Sequence, residues 1–448
     1  MKSTLIYNAS IINDGEIKTG SVVIENEFIK EVIYNNINKE VYSDYNIIDA
    51  TELYLIPGVI DDQVHFRDPG LTHKADIYTE SKAAVAGGVT SFMEMPNTLP
   101  QTTTINLLEE KYKMASEKSL ANYSFYLGAT NNNIKEIKKI NSQNTCGLKI
   151  FMGASTGNML VDNINALEAI FAESPVLIAT HCEDEQTIKN NIILFKEKYG
   201  EKIPIKYHPE IRNEESCFIS SNLAVNLARK HNTRLHVLHI STERELELFQ
   251  NNPLDENKRI TNEVCVHHLW FDSNDYERKG TFIKWNPAIK ASNNKEGLRK
   301  ALKTNLIDVI ATDHAPHTIS EKENTYFKAP SGGPMVQHSL VAMLELSFQN
   351  IISIEEVVTK MCHNPAKLFN ISKRGYIKKD YYADMVLLNL NSPWTVNKNN
   401  ILYKCGWSPL ENTSFKSKVI STIINGHLVY NNGVFDESKK GMRLFFNR

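Results

Sequence analysis

The densest group of reactive side chains lies in residues 59–68, Val-Ile-Asp-Asp-Gln-Val-His-Phe-Arg-Asp, an apolar strand that ends in ligand-type residues. Side chains two apart on a strand share a face, so Asp61, Gln63 and His65 are expected to point one way. Carboxylate, amide and imidazole together at a strand's C-terminal end point to a polar pocket able to hold a metal. Further along stand Lys149 in Gly-Leu-Lys-Ile-Phe-Met, His181 in Ile-Ala-Thr-His-Cys-Glu-Asp, His239 in Val-Leu-His-Ile-Ser-Thr and Asp313 in Ala-Thr-Asp-His-Ala-Pro-His. Each alone has a plain structural explanation. The histidines could be satisfied core residues, and Asp313 could cap a following helix. Lys149 could ion-pair with Asp313 or a glutamate, although lysines avoid the middle of apolar strands. Together, at matching strand ends, they are poorly explained by packing.

The chemistry these types permit is metal-assisted hydrolysis. Neutral imidazoles and carboxylates suit Zn²⁺. A buried lysine has a lowered pKa and can be a free amine, and a free amine can take up CO₂ as a carbamate whose two anionic oxygens bridge two metals. A bound metal brings its water toward neutrality in pKa, and a neighbouring Asp can accept the proton and later deliver it to a leaving nitrogen.

Eight strand-like segments would position these groups: Gly58–His65, Val89–Met95, Tyr123–Leu127, Gly147–Phe151, Val176–His181, Leu235–Ile240, Ile260–Val266 and Leu306–Thr312. Stretches between them, such as Ser220–Lys230 and Lys295–Thr304, carry apolar residues at helical spacing. Eight strand–helix units point to an α/β fold of the (β/α)8 barrel type over 56–374, whose chemistry sits at the C-terminal strand ends. There stand His65 and Arg67, then Asn97, Lys149, His181, His239 and Asp313. Residues 1–55 read as short strands with Asp14-Gly15 as a hairpin turn, and a similar pattern returns over 375–448 with Asn425-Gly426 as the turn. Two β-rich ends flanking a different middle are expected to build one β-sandwich domain.

The 448 residues are 42% hydrophobic, with 50 basic against 52 acidic side chains and a formal charge of −2, so nothing favours nucleic acid or an anionic membrane as partner. The N-terminus lacks the apolar stretch of a signal peptide, and no run approaches the roughly 18 apolar residues of a membrane span. The six cysteines are scattered with no Cys-x-x-Cys pair, as expected of free thiols in a reducing cytoplasm.

Residues 61–65 resemble the Asp-x-His-x-His signature of the amidohydrolase superfamily, with Gln63 at the first His. The wider set resembles the dihydroorotase family within it: Phe66-Arg-Asp-Pro-Gly70, Gly87-Gly-Val-Thr90, Met95-Pro-Asn-Thr98, His181-Cys-Glu-Asp184, His208-Pro-Glu-Ile-Arg212, His239-Ile-Ser-Thr242, Asn286-Pro287, Asp313-His-Ala-Pro-His317, Asn364-Pro-Ala-Lys367 and Cys405-Gly-Trp-Ser-Pro409. That resemblance implies closure of N-carbamoyl-aspartate to dihydroorotate in pyrimidine synthesis, by a zinc enzyme. It implies His65 and Asp313 on the more buried metal, His181 and His239 on a second, and carbamylated Lys149 bridging, with Asp313 as general acid/base. Arg67, Asn97 and His317 match positions that hold the substrate carboxylate, for which a guanidinium offers a forked pair of donors. Asn286 matches a residue facing the pyrimidine ring, and the loop Pro330–Pro334 one that supplies backbone contacts. The neutral amide of Gln63 is a weaker ligand than imidazole, so the first metal site is expected to be the weaker. A homo-oligomer and association with aspartate transcarbamoylase are further implications. A hydantoinase-type amidase, which has no use for Arg67, and a non-catalytic scaffold are the alternatives.

Overall fold

The computed structural model describes residues 3–35, 37–153 and 159–448. Every strand expected in the middle of the chain forms, and all pair in parallel. Val59–Val64, Val89–Glu94 and Asn122–Phe125 are neighbours in that order. The third continues past Tyr126 as Leu127–Gly128, which opens a six-stranded sheet through Leu148–Phe151, Ile178–His181, Leu235–Val237, Ile260–Cys265 and Val309–Ala311. Beyond the last strand, His314 bridges in parallel to Val64 and its carbonyl accepts from His65 N at 2.7 Å, so the eighth strand lies beside the first. The strands form a ring. Leu148–Phe151 and Ile178–His181 are buried at every position, as strands covered on both faces must be.

The sixth and eighth strands are shorter than expected. The chain leaves the extended conformation before His239 and Asp313, whose φ angles are +39° and +45°. Helix Glu214–His231 contains the expected 220–230 segment; Asn213 caps its start and Asn232, at φ 52°, ends it. The helix expected over 295–304 instead spans Ser292–Ala301, its first turn anchored by Asn294, which accepts from Glu243 N and donates to Glu214. Inside the ring, Ile60, Met93, Leu177, Leu238 and Val309 form an apolar cluster with Phe369, Leu444 and Phe446.

Both chain ends contribute to one nine-stranded sheet, joined where Tyr54–Pro57 pairs antiparallel with Met385–Asn389. The turns at Asp14-Gly15 and Asn425-Gly426 have positive φ at both residues (54° and 79°, 50° and 73°), the type I′ geometry these pairs favour. This sheet has its own core, including Ile6, Ile11, Val22, Leu55, Met385 and Ile423. Buried Asp384 ties it to the ring: it ion-pairs with Arg374 and accepts from Asn122 Nδ2 at 3.1 Å. The final residues return to the ring, where Arg443 bridges to Tyr123 and Arg448 donates to the carbonyls of Cys146 and Phe369. All six cysteines are free and buried. Among the described residues, no helix is long and apolar enough to cross a membrane.

Candidate metal centre and substrate pocket

His65, Arg67, Asn97, Lys149, His181, His239, Asn286 and Asp313 line one cavity, together with Gln63, Phe151, Ala315, Ser331 and Gly332. His317 does not line it; it stands behind Arg67. Arg67, His239 and Asp313 all have left-handed backbones, with φ of 68°, 39° and 45°. Such conformations cost a non-glycine residue about 1 kcal/mol or more and gather at functional sites. Here they turn the chain at three strand ends so that the side chains enter the cavity.

Hydrogen bonds fix the tautomers. His65 Nδ1 lies 2.7 Å from Asn97 Oδ1, an acceptor, so Nδ1 carries the proton and Nε2 presents its lone pair. That lone pair faces Asp313 Oδ1 at 3.1 Å, a contact that is repulsive unless positive charge lies between them. His181 repeats the pattern: Nε2 donates to Glu183 Oε2 at 3.1 Å, leaving Nδ1 toward His239 Nε2 at 3.0 Å. These two rings share either one proton or one cation, and buried His239 Nδ1 has no hydrogen-bond partner among the described residues. Burial lowers the pKa of His65 and His181 and carries His239 well below its ordinary value, so all three are neutral imidazoles at pH 7. Burial would raise Glu183, but Arg212 and His181 hold it at about 2, a permanent anion behind His181. Such a partner orients a metal-binding imidazole.

Lys149 is 1% exposed and makes no ion pair among the described residues, which removes its plain structural explanation. Its nitrogen lies 4.6 Å from the Phe151 ring centre, and burial pushes its pKa down to about 8. It lines the cavity with His65, His181 and His239, and its charge lowers the pKa of all three. Gln63 Nε2 donates to Asp313 Oδ1 at 3.2 Å, and Cys265 Sγ approaches Gln63 Oε1 at 3.6 Å. The amide thus presents its NH₂ to the site, and an NH₂ has no lone pair for a metal. Gln63 orients Asp313 instead.

Arg67 is 2% exposed, and its guanidinium donates to Pro316 O at 3.1 Å and contacts His317 Nε2 at 3.1 Å. Among the described residues no carboxylate pairs with it, and burial lowers its pKa only to about 10, so it remains charged. A buried, charged, unpaired guanidinium on a cavity wall calls for an anion. His317 is held by Lys74 Nζ at 3.1 Å and Ser331 O at 3.0 Å, and Lys74 pairs with Glu321. Ser331 Oγ donates to Asn286 Oδ1 at 3.0 Å, joining the 330–334 loop to Asn286.

Sequence reasoning missed several partners. Glu183, two residues beyond His181, was visible as an acid on the same strand-end face. Asp61 does not line the cavity; it accepts from Thr312 Oγ1 at 2.6 Å and ties the eighth strand to the first. The first strand's register shifts between Asp61 and Val64, and Asp62 also faces ring residues, His236 and Glu263. Glu263, an acid within an apolar strand, is the same oddity that singled out Lys149.

An amidohydrolase family model matches residues 54–429. The dihydroorotase of Methanosphaera stadtmanae is 32% identical over 429 residues, covering 96% of each chain. That of Ehrlichia canis is 30% identical over 95% of each, and that of Pyrococcus abyssi 30% over 98% of each. Among solved structures, the L-hydantoinase (dihydropyrimidinase) from Arthrobacter aurescens superposes with a TM-score of 0.92 at 24% identity, each chain fully covered. The dihydropyrimidinase from Brevibacillus agri gives 0.88 at 22%. At that identity the likeness shows the fold alone.

Proposed function

The chain is a member of the amidohydrolase family, and of its dihydroorotases, and from that premise we propose that it interconverts N-carbamoyl-L-aspartate and (S)-dihydroorotate in pyrimidine biosynthesis. We read the ring of parallel strands as a (β/α)8 barrel over 56–374 and the two ends, 1–55 and 375–448, as a composite β-sandwich. Both products and substrates of this reaction carry a carboxylate beside the reacting amide. The observation that supports the reading is Arg67, the buried charged guanidinium with no acidic partner. A hydantoin or dihydropyrimidine ring without a carboxylate would leave that charge unanswered.

In this reading Arg67 and Asn97 grip the carboxylate, with His317 setting the guanidinium, and Asn286 with the Ser331 loop faces the ring. His181 and His239 would hold one zinc ion, His65 and Asp313 would serve a second, weaker position, and a carbamylated Lys149 would contribute its anionic oxygens to both. The donor set fits: three neutral imidazoles, two of them with tautomers fixed by hydrogen bonds, a carboxylate, and a lysine poised to lose its proton. A zinc ion bound there supplies Lewis acidity toward the ring carbonyl and its attacking water. Asp313 Oδ1 is occupied by Gln63 and His65, so Oδ2 is the oxygen that takes the proton from water and returns it to the departing ring nitrogen. The test is to incubate zinc-replete protein with dihydroorotate and, separately, with carbamoyl-aspartate and follow both by NMR. Interconversion in both directions is expected; no turnover of either would refute the proposal.

A further inference from the structure

Asp62, His236 and Glu263 take no part in that reaction, yet they form a buried group inside the ring. It touches the pocket through Glu263 Oε1, which accepts from His239 N at 3.2 Å. It touches the apolar inner cluster through the His236 ring, 6.1 Å from that of Phe369. All three side chains are wholly buried, and one ligand atom from each lies within 4.8 Å of the others.

The state of His236 can be read from its neighbours. Thr261 Oγ1 donates to Leu235 O at 3.1 Å, so it accepts from His236 Nδ1, 2.9 Å away, and Nδ1 carries the proton. Nε2 of His236 stands 3.3 Å from both Asp62 Oδ2 and Glu263 Oε2. Two carboxylates in a dry interior demand a positive charge among them; burial alone would lower His236, but the two acids raise it to about 9, so without an ion a second proton on Nε2 supplies that charge. A proton on Nε2 can be directed at only one of the two, and among the described residues neither buried Asp62 oxygen has a hydrogen-bond partner. Ligands about 2.0–2.2 Å from a tetrahedral ion stand about 3.4 Å from one another, close to the two separations of 3.3 Å from His236 Nε2.

We propose that Asp62, His236 and Glu263 form a structural site for one divalent ion of the zinc class, distinct from the metals of the pocket. Two carboxylates, a neutral imidazole and a dication sum to zero charge, and one nitrogen with two oxygens suits that class of ion. Thr261 is the outer partner that fixes the imidazole. The ion links the first, sixth and seventh strands, and through Glu263 it steadies the backbone that carries His239 in its left-handed conformation.

The test uses whole protein expressed with zinc and purified without chelator. Anomalous diffraction at the zinc edge is expected to show a peak among the three side chains. Asp62→Asn should hold one ion per chain fewer than wild type, while Lys149→Ala, disabling the pocket, should keep the core ion. An anomalous map with density at the pocket and none at the triad overturns the proposal, as does unchanged metal content in Asp62→Asn. So would a His236 imidazole found doubly protonated by nitrogen NMR. Should Asp62→Asn fail to fold, the wild-type map decides alone.

Discussion

Arg67 and Asp313 line the same cavity, and in the proposed reaction they act at different moments. Arg67 meets a carboxylate present in ground and transition states alike, so Arg67→Lys, which loses the fork of donors, should mainly raise KM. Asp313 moves a proton, so Asp313→Asn should lower kcat by about 10²–10⁴. Steady-state kinetics on both variants separates these roles, and Asp313→Asn keeping more than about a tenth of wild-type kcat would remove the proton shuttle from Asp313. Lys149→Ala should lose the pocket's metal and its activity, with partial rescue by short carboxylic acids that replace the missing anion. Normal pocket metal in that variant would show that Lys149 is no ligand. Gln63→His replaces an NH₂ turned toward Asp313 with an imidazole lone pair. That variant should bind a second pocket ion more tightly than wild type in a chelator titration, and identical titration curves would contradict the orientation of Gln63.

Elements were legible where their signal is local. Short apolar runs and Asx-Gly turns located the ring strands and both hairpins, because those patterns reflect burial and φ directly. Strand ends were less legible: the left-handed turns at His239 and Asp313 are imposed by the cavity they serve, so nothing in Leu238 or Thr312 announces them. Nor does the sequence of the last residues show that they leave the end sheet to close the ring's interior. Leu444 and Phe446 are buried there at 0% and 3% exposure. Phe446→Ala should therefore cost about 3–5 kcal/mol, read as a lower Tm. Because Phe446 is no part of the pocket lining, kcat at low temperature should be unchanged. A Tm equal to wild type would mean the tail does not carry that packing.

At the scale of the whole molecule, the sequence showed which types gather at strand ends, and the ring brings together groups from positions 65 to 313. It could not show which partners hold them: Glu183 behind His181, Gln63 on Asp313 and Lys74 behind His317 depend on long-range pairing that one chain's pattern does not encode. The same fold is shared by an L-hydantoinase and a dihydropyrimidinase, so fold alone does not choose the substrate. The choice rests on Arg67. Its central test is kcat/KM for dihydroorotate against dihydrouracil on the same zinc-replete preparation. The buried guanidinium predicts a preference for dihydroorotate of at least about 10²-fold, the scale of a desolvated charge pair gained or lost. Dihydrouracil turned over as well as dihydroorotate, or better, would contradict it.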